Sequence, residues 1–159
     1  MKRKPFETNY AGAIYGTILS MAVISTASKD PDAGPIMIAC WAAATAIVFW
    51  LAHVYSKIVA AGFARPSEAT GLARRALREE WPLVQGSLIP AGAMLLAPLG
   101  LVDADNATYV AVWVGVAVLF VAGIVVGTRE ELSWSRRLTI GLINAAIGSL
   151  IVALKIFVH

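Results

Sequence analysis

Charged side chains are scarce in this chain: Asp, Glu, Lys and Arg make up 14% of its 159 residues, while 58% are hydrophobic. An ordinary soluble domain is about a quarter charged and under half apolar, so with a mean hydropathy of +0.73 this is not the composition of a water-soluble globule. Cysteine occurs once, as Cys40, which excludes an intrachain disulfide and a cysteine cage for a metal. Beside Trp41 in an apolar run, that thiol reads as a small hydrophobe. Histidine occurs twice, as His53 and His159, on opposite sides of the bilayer in the topology below, so one chain cannot clamp a haem between two histidines. No Asp or Glu falls inside an apolar run, which argues against carboxylate-coupled carriers. A Gly-rich phosphate loop, a metal-spaced His/Cys/Asp/Glu set and a Ser/His/Asp triad at one depth are all missing. The expectation is therefore no metal, no cofactor and no catalytic residue, and the reading leans away from an enzyme. The net charge of +3 would suggest nucleic acid in a soluble protein, but here its distribution over loops matters more and no nucleic-acid partner is expected.

What the chain has in abundance is apolar runs long enough to span a bilayer. They cover residues 10–27, 36–61, 81–102, 109–127 and 138–158, each roughly 18 to 26 residues against the ~20 that a crossing needs. Barrel strands would be about ten residues long with strict alternation. The expected fold is all-α, a polytopic transmembrane helix bundle of five crossings in a single domain.

The loops alternate in charge. Lys2, Arg3 and Lys4 precede the first crossing; Lys29 faces Asp30 and Asp32 in the next loop; Arg65, Arg74, Arg75 and Arg78 follow the second crossing; Asp103 and Asp105 follow the third; Arg129, Arg136 and Arg137 follow the fourth. By the positive-inside rule the protein is a multi-pass cell-membrane protein with its amino terminus cytoplasmic and its carboxyl terminus outside. A rival reading takes the first crossing as a secretory signal ending at Ser25-Thr26-Ala27, which would leave four crossings. Against cleavage stand Tyr10, Tyr15, Thr17 and Ser20 within the run, and the small-residue stripe Gly12, Gly16, Ser20 suited to close helix packing.

Between the second and third crossings, residues 67–80 predict a helix in the cytoplasmic interface, with Ser67 as cap, Glu68 in the first turn and Leu72, Ala73, Ala76 and Leu77 opposite Arg74, Arg75 and Arg78. Those arginines are candidate contacts for lipid headgroups, each worth roughly 1 kcal/mol near an anionic leaflet. The blander reading makes them topology determinants partnered by Glu79 and Glu80. Pro82 suits the first turn of the third crossing. Residues 29–35 and 103–106 read as tight turns.

The second crossing is sided. Ala39, Ala43, Ala46, Trp50, His53 and Lys57 share one stripe, expected to face protein, and Trp41, Val48, Leu51, Tyr55 and Ile58 the other, expected to face lipid. His53 lies about 12 Å and Lys57 about 6 Å from the cytoplasmic end, so Lys57 can snorkel to water and His53 is harder to solvate. Tyr15, Gln85, Ser87 and Asn144 fall at similar depth, and polar groups in a membrane turn inward to find partners. The expectation is one polar cluster of Tyr15, His53, Gln85, Ser87 and Asn144 near the cytoplasmic face, serving either as glue between helices or as a path for a solute, proton or water. Pro90 and Pro98 should free the carbonyls of Gly86 and Met94, which either line a site or mark a kink. Small residues at Gly115, Gly123 and Gly127, and at Gly141, Ala145 and Ser149, exceed what a minimal bundle needs and point to a homo-oligomer or a membrane-protein partner, with packing inside one chain as the alternative.

The strings Ile14-Tyr15-Gly16-Thr17-Ile18-Leu19, Val48-Phe49-Trp50-Leu51-Ala52-His53-Val54-Tyr55, Ala76-Leu77-Arg78-Glu79-Glu80-Trp81-Pro82 and Ile151-Val152-Ala153-Leu154-Lys155 together resemble a group of small, uncharacterised multi-spanning integral membrane proteins of actinobacteria. The resemblance covers nearly the whole chain, implies the membrane assignment, brings no established activity with it, and marks Tyr15 and His53 for joint testing. Three functions follow as expectations: a channel or transporter-like bundle around the polar cluster, a non-catalytic membrane subunit or scaffold acting through helix packing, and, weakest, a lipid-processing enzyme using the arginines. Membrane lipids are partners in all of them.

Overall fold

The computed structural model describes residues 9–62 and 66–157, and the side chains of all of these except 66–69 and 154–157. Lys2, Arg3, Lys4, Arg65, the Ser67 cap, Glu68 and the last residues of the fifth run lie outside the described side chains. Five helices account for the fold: α1 Tyr10–Ala27, α2 Pro35–Ala60, α3 Pro66–Met94, α4 Ala104–Arg129 and α5 Trp134–Phe157. No strand occurs among the described residues. Four helices, α1, α2, α4 and α5, are long and apolar enough to cross a membrane. The chain is an all-α transmembrane bundle.

The third expected crossing is corrected. Residues 67–80 and the apolar run after them form one 29-residue helix with Pro82 in its interior, not at its start. That helix stops at Met94, and residues 95–100 are turns closed at Gly100, whose φ of 74° suits glycine. Pro98 therefore sits outside any helix, and the Met94 carbonyl accepts the Ala97 N–H at 3.4 Å. The apolar stretch of α3, Trp81 to Met94, is about 21 Å long at 1.5 Å per residue. Two other ends extend past their apolar runs: α4 begins at Ala104, just after Asp103 and with Asp105 in its first turn, and α5 begins at Trp134. Asp105 suits the N-terminal end of the α4 dipole, and α5 takes in the polar Ser135, Arg136 and Arg137 ahead of its apolar run, so hydropathy alone places these ends too far inward. The α1–α2 connection is the expected turn, with Asp30 Oδ1 accepting the Asp32 N–H at 3.0 Å.

Packing follows the rule for a bilayer, in which lipid is as apolar as leucine and close backbone approach decides which helices meet. Ala42, Ala46, Ala107 and Ala111 are buried, whereas Val48, Leu51, Val121, Leu142 and Leu150 are exposed to the surroundings. Helix α2 keeps the predicted sides: Ala39 and Ala46 are buried, while Trp41, Val48, Leu51 and Tyr55 are exposed. Cys40 is exposed beside Trp41. Helix α1 packs against all four others, and α5 packs only on α4 and α1. The apolar core of Met21, Ile24, Ile38, Ala42, Met94, Val112 and Leu119 fills the end of the bundle away from the arginines.

Several glycines of the small-residue stripes are packed against other helices of the same chain. A Cβ added at Gly16 would overlap the carbonyl oxygen of Leu83, and one at Gly86 that of Ala13, so α1 and α3 touch backbone to backbone. Gly115 lies on Met21, Gly123 on Gly141, Gly127 on Arg137 and Gly148 on Leu119. Of the two readings of the stripes, packing inside one chain accounts for these glycines. At the Pro90 gap the Gly86 carbonyl lies 3.1 Å from Thr17 Oγ1 of α1, whose one hydroxyl hydrogen it shares with the Ala13 carbonyl at 2.9 Å, and Ser87 Oγ donates to the Gly16 carbonyl at 2.7 Å. Ser20 and Ser25 keep buried hydroxyls without a partner among the described residues.

Candidate functional site at the basic end of the bundle

Three helices meet at the end that carries the arginines: the start of α1, the last turns of α2 and the middle of α3. Lys57, on α2, reaches across to α3, where its Nζ lies 3.1 Å from Glu79 Oε2 and 2.5 Å from Glu80 Oε1. Arg75, one turn before Glu79 on α3, donates from Nε to Glu79 Oε1 at 2.7 Å. Asn9 completes the set with both ends of its amide. Its Oδ1 accepts the Gly12 N–H at 2.9 Å and caps α1, and its Nδ2 donates to Glu80 Oε2 at 3.3 Å. Two cations and two carboxylates thus form one formally neutral network that ties the three helices together.

The two carboxylates differ in setting. Glu79 has a side chain 42% exposed, and Glu80 is only 4% exposed as a residue. The hydrogen bond from Arg75, followed by that from Lys57, holds the Glu79 carboxyl below the usual carboxylate range. Above the network, Trp50 Nε1 donates to the Leu77 carbonyl at 3.1 Å, and its ring meets Trp81 edge-on at 5.3 Å.

His53 stands one turn from Lys57 on α2. Its Nδ1 is 2.9 Å from the Phe49 carbonyl. A carbonyl only accepts, so Nδ1 carries the proton of this bond and Nε2 is left as the acceptor of the neutral ring. The Tyr15 ring lies 5.5 Å from the His53 ring and 6.2 Å from Phe49.

Of the expected polar cluster, the fold thus brings Tyr15 and His53 together and sends the other members elsewhere. Ser87 is fully buried on the Gly16 carbonyl. Gln85 is exposed on the outer face of α3. Asn144 lies on the seam of α4 and α5, its Nδ2 close enough to Gly123 that a Cβ there would come within 2.9 Å. Among the arginines, Arg75 takes Glu79, while Arg74 and Arg78 are exposed without a carboxylate partner among the described residues.

Lys57, expected to snorkel to water, is exposed to 42% and also contacts two carboxylates. Asn9 was not singled out from the sequence, and Glu80 was named only as a partner of the arginines, not of Lys57. The signal for Glu80 was present, because Ala76, Leu83, Val84 and Ser87 stand at i−4, i+3, i+4 and i+7 from it and all are buried.

Two shallow concavities lie away from this end, one along α4 beside Leu101, Asn106 and Trp113, the other between Ala22, Thr26 and Trp41; neither includes His53. No group of three or more His, Cys, Asp or Glu able to hold a metal occurs among the described residues. Comparison with family profiles, with curated proteins and with solved structures gives no match.

Proposed function

We propose that the chain is a non-catalytic membrane subunit, a helical scaffold that works in association with another membrane protein or a second copy of itself. The observation that supports this reading is the α1–α3 seam, where the polar groups at mid-bundle are used to close helix on helix. Thr17 and Ser87 are buried on backbone carbonyls, and the absence of a Cβ at Gly16 and Gly86 is what lets the backbones meet. A path for solute needs groups left free to bind it, and Thr17 and Ser87 are engaged.

The test has two arms. Purification in mild detergent after cross-linking in the membrane should give a species heavier than the monomer, and liposomes holding the pure protein should pass neither protons nor ions. One observation favours a second reading, a channel or transporter-like path: Tyr15, His53 and the Lys57–Glu80 pair belong to the same three helices at the same end. On that reading, the pure protein passes protons or ions and His53→Ala changes that flux. Flux of that kind, or a clean monomer, overturns the scaffold.

The same proposal places the basic end in the cytoplasm. In a Cys40→Ala background, Asp32→Cys and Asp105→Cys should react with an impermeant maleimide on intact cells and Ser133→Cys should not. The reverse labelling would invert the topology.

A further inference from the structure

We propose that the exposed face of α3 is a binding site for one anionic phospholipid, its phosphate held by Arg74 and Arg78, its ester region by Gln85, and its chains laid along Leu88 and Ile89. The inference stands apart from the choice between scaffold and channel. It begins with Gln85, the polar residue that the fold turns outward.

At about 100° per residue, positions 74, 78, 81, 85, 88 and 89 fall within roughly a third of the helix circumference. All six are exposed, with Trp81 at 44%, Leu88 at 47% and Ile89 at 49%. Along the axis they run in a fixed order: two guanidiniums, an indole, an amide, then aliphatic side chains. This is the order of a phospholipid read from phosphate through glycerol ester to acyl chain, with tryptophan at the depth where its amphipathic ring settles in a bilayer.

Charge chooses among lipids. Arg75 is committed to Glu79, which Lys57 also contacts, and Glu80 is buried on Lys57 and Asn9. Arg74 and Arg78 are left on the exposed face with no carboxylate to neutralise them among the described residues. Guanidiniums bind phosphate oxygens through paired N–H donors, and two of them one turn apart favour a headgroup with net negative charge over a zwitterion.

Gln85 supplies the second, independent argument. It lies about 10 Å further along the helix than Arg78, outward-facing and without a hydrogen-bond partner among the described residues. An amide facing hydrocarbon is costly to leave unpaired. The lipid ester carbonyl is the acceptor available at that depth.

Native mass spectrometry of the purified protein with added phosphatidylglycerol or phosphatidylcholine tests the site. The expected result is a single phosphatidylglycerol adduct that survives activation, with phosphatidylcholine binding at least tenfold weaker. Arg74→Gln/Arg78→Gln should lower the phosphatidylglycerol affinity about tenfold and Gln85→Leu several-fold. Arg129→Gln/Arg136→Gln, which removes the same charge from exposed positions elsewhere, should leave it unchanged. All positions altered are on the surface, and circular dichroism reports whether each variant keeps its helices. Equal loss in both arginine pairs would make the attraction nonspecific and overturn the site, as would equal binding of the two lipids. Displacement of the adduct by inorganic phosphate would assign the arginines to free phosphate and overturn the lipid.

Discussion

Thr17 Oγ1 lies 3.1 Å from the carbonyl oxygen of Gly86, the acceptor that Pro90 leaves without its helical donor. The hydroxyl of one helix partly fills the gap that proline makes in another, because its single hydrogen is shared with the Ala13 carbonyl at 2.9 Å. Interhelical hydrogen bonds in membranes average about 0.6 kcal/mol, and an unsatisfied buried carbonyl adds to that when its donor is lost. Thr17→Val should therefore destabilise the bundle by about 1 kcal/mol in a detergent-unfolding titration, and Thr17→Ser should behave as wild type. Equal loss in both variants would mean that the threonine methyl, not its hydroxyl, matters at this seam.

The glycines separate into those that touch and those that do not. Gly16→Ala and Gly86→Ala place a methyl on the opposing backbone, which has no flexible end to move aside. Each should cost several kcal/mol and sharply reduce the yield of folded protein. Gly92, also in α3, has nothing within 4 Å of an added Cβ. Gly92→Ala should be neutral or stabilise the helix by up to about 1 kcal/mol. Folded yields from expression in membranes compare all three, and full yield from Gly86→Ala would refute the seam.

The network around Lys57 should be asymmetric. Lys57→Met leaves Glu80 buried with only the Asn9 amide, whereas Glu80→Gln leaves Lys57 half exposed and still beside Glu79. Removing one partner of a fully buried pair costs 3–5 kcal/mol; with Lys57 exposed to 42%, about 1–2 kcal/mol is expected for Lys57→Met and less for Glu80→Gln. The double variant should recover most of the Lys57→Met loss, which a double-mutant cycle measures directly. Acid acts on the same network through Glu79. Its folded carboxyl titrates below the ordinary range, so its contribution is complete above that range and fades as the pH falls through the lowered value. Its exposure keeps this effect small, and Glu79→Gln should remove that part of the acid dependence of the melting temperature.

The membrane-crossing character of α1, α2, α4 and α5 was legible because it depends on composition over about 20 residues. The unity of α3 was not. Proline is a sound marker of a helix start, yet Pro82 removes only one donor, and a helix packed on three neighbours continues through it. The polar cluster failed for a different reason, since counting residues gives depth but not direction. Gln85 and Ser87 share a depth but stand about 200° apart around the helix, so one had to face out when the other faced in. Asn144 required knowing which helices border α5, and that information resides in tertiary packing. Tyr15 and His53 meet because the protein-facing stripe of α2, which the residue spacing marks, turns His53 toward α1.

That α1 borders every other helix also bears on how the bundle is built during synthesis. Helices leave the ribosome in chain order, and the glycine seam of α1 is matched to α3, not to the α2 that follows it. Helix α1 therefore enters the bilayer before α3 and waits with its most selective surface uncovered until α3 arrives. The α4–α5 hairpin, by contrast, holds the partners of Gly123, Gly127 and Gly148 within itself. The seam of α1 is thus completed across an intervening helix, whereas α4 and α5 are joined to their own partners by a single turn.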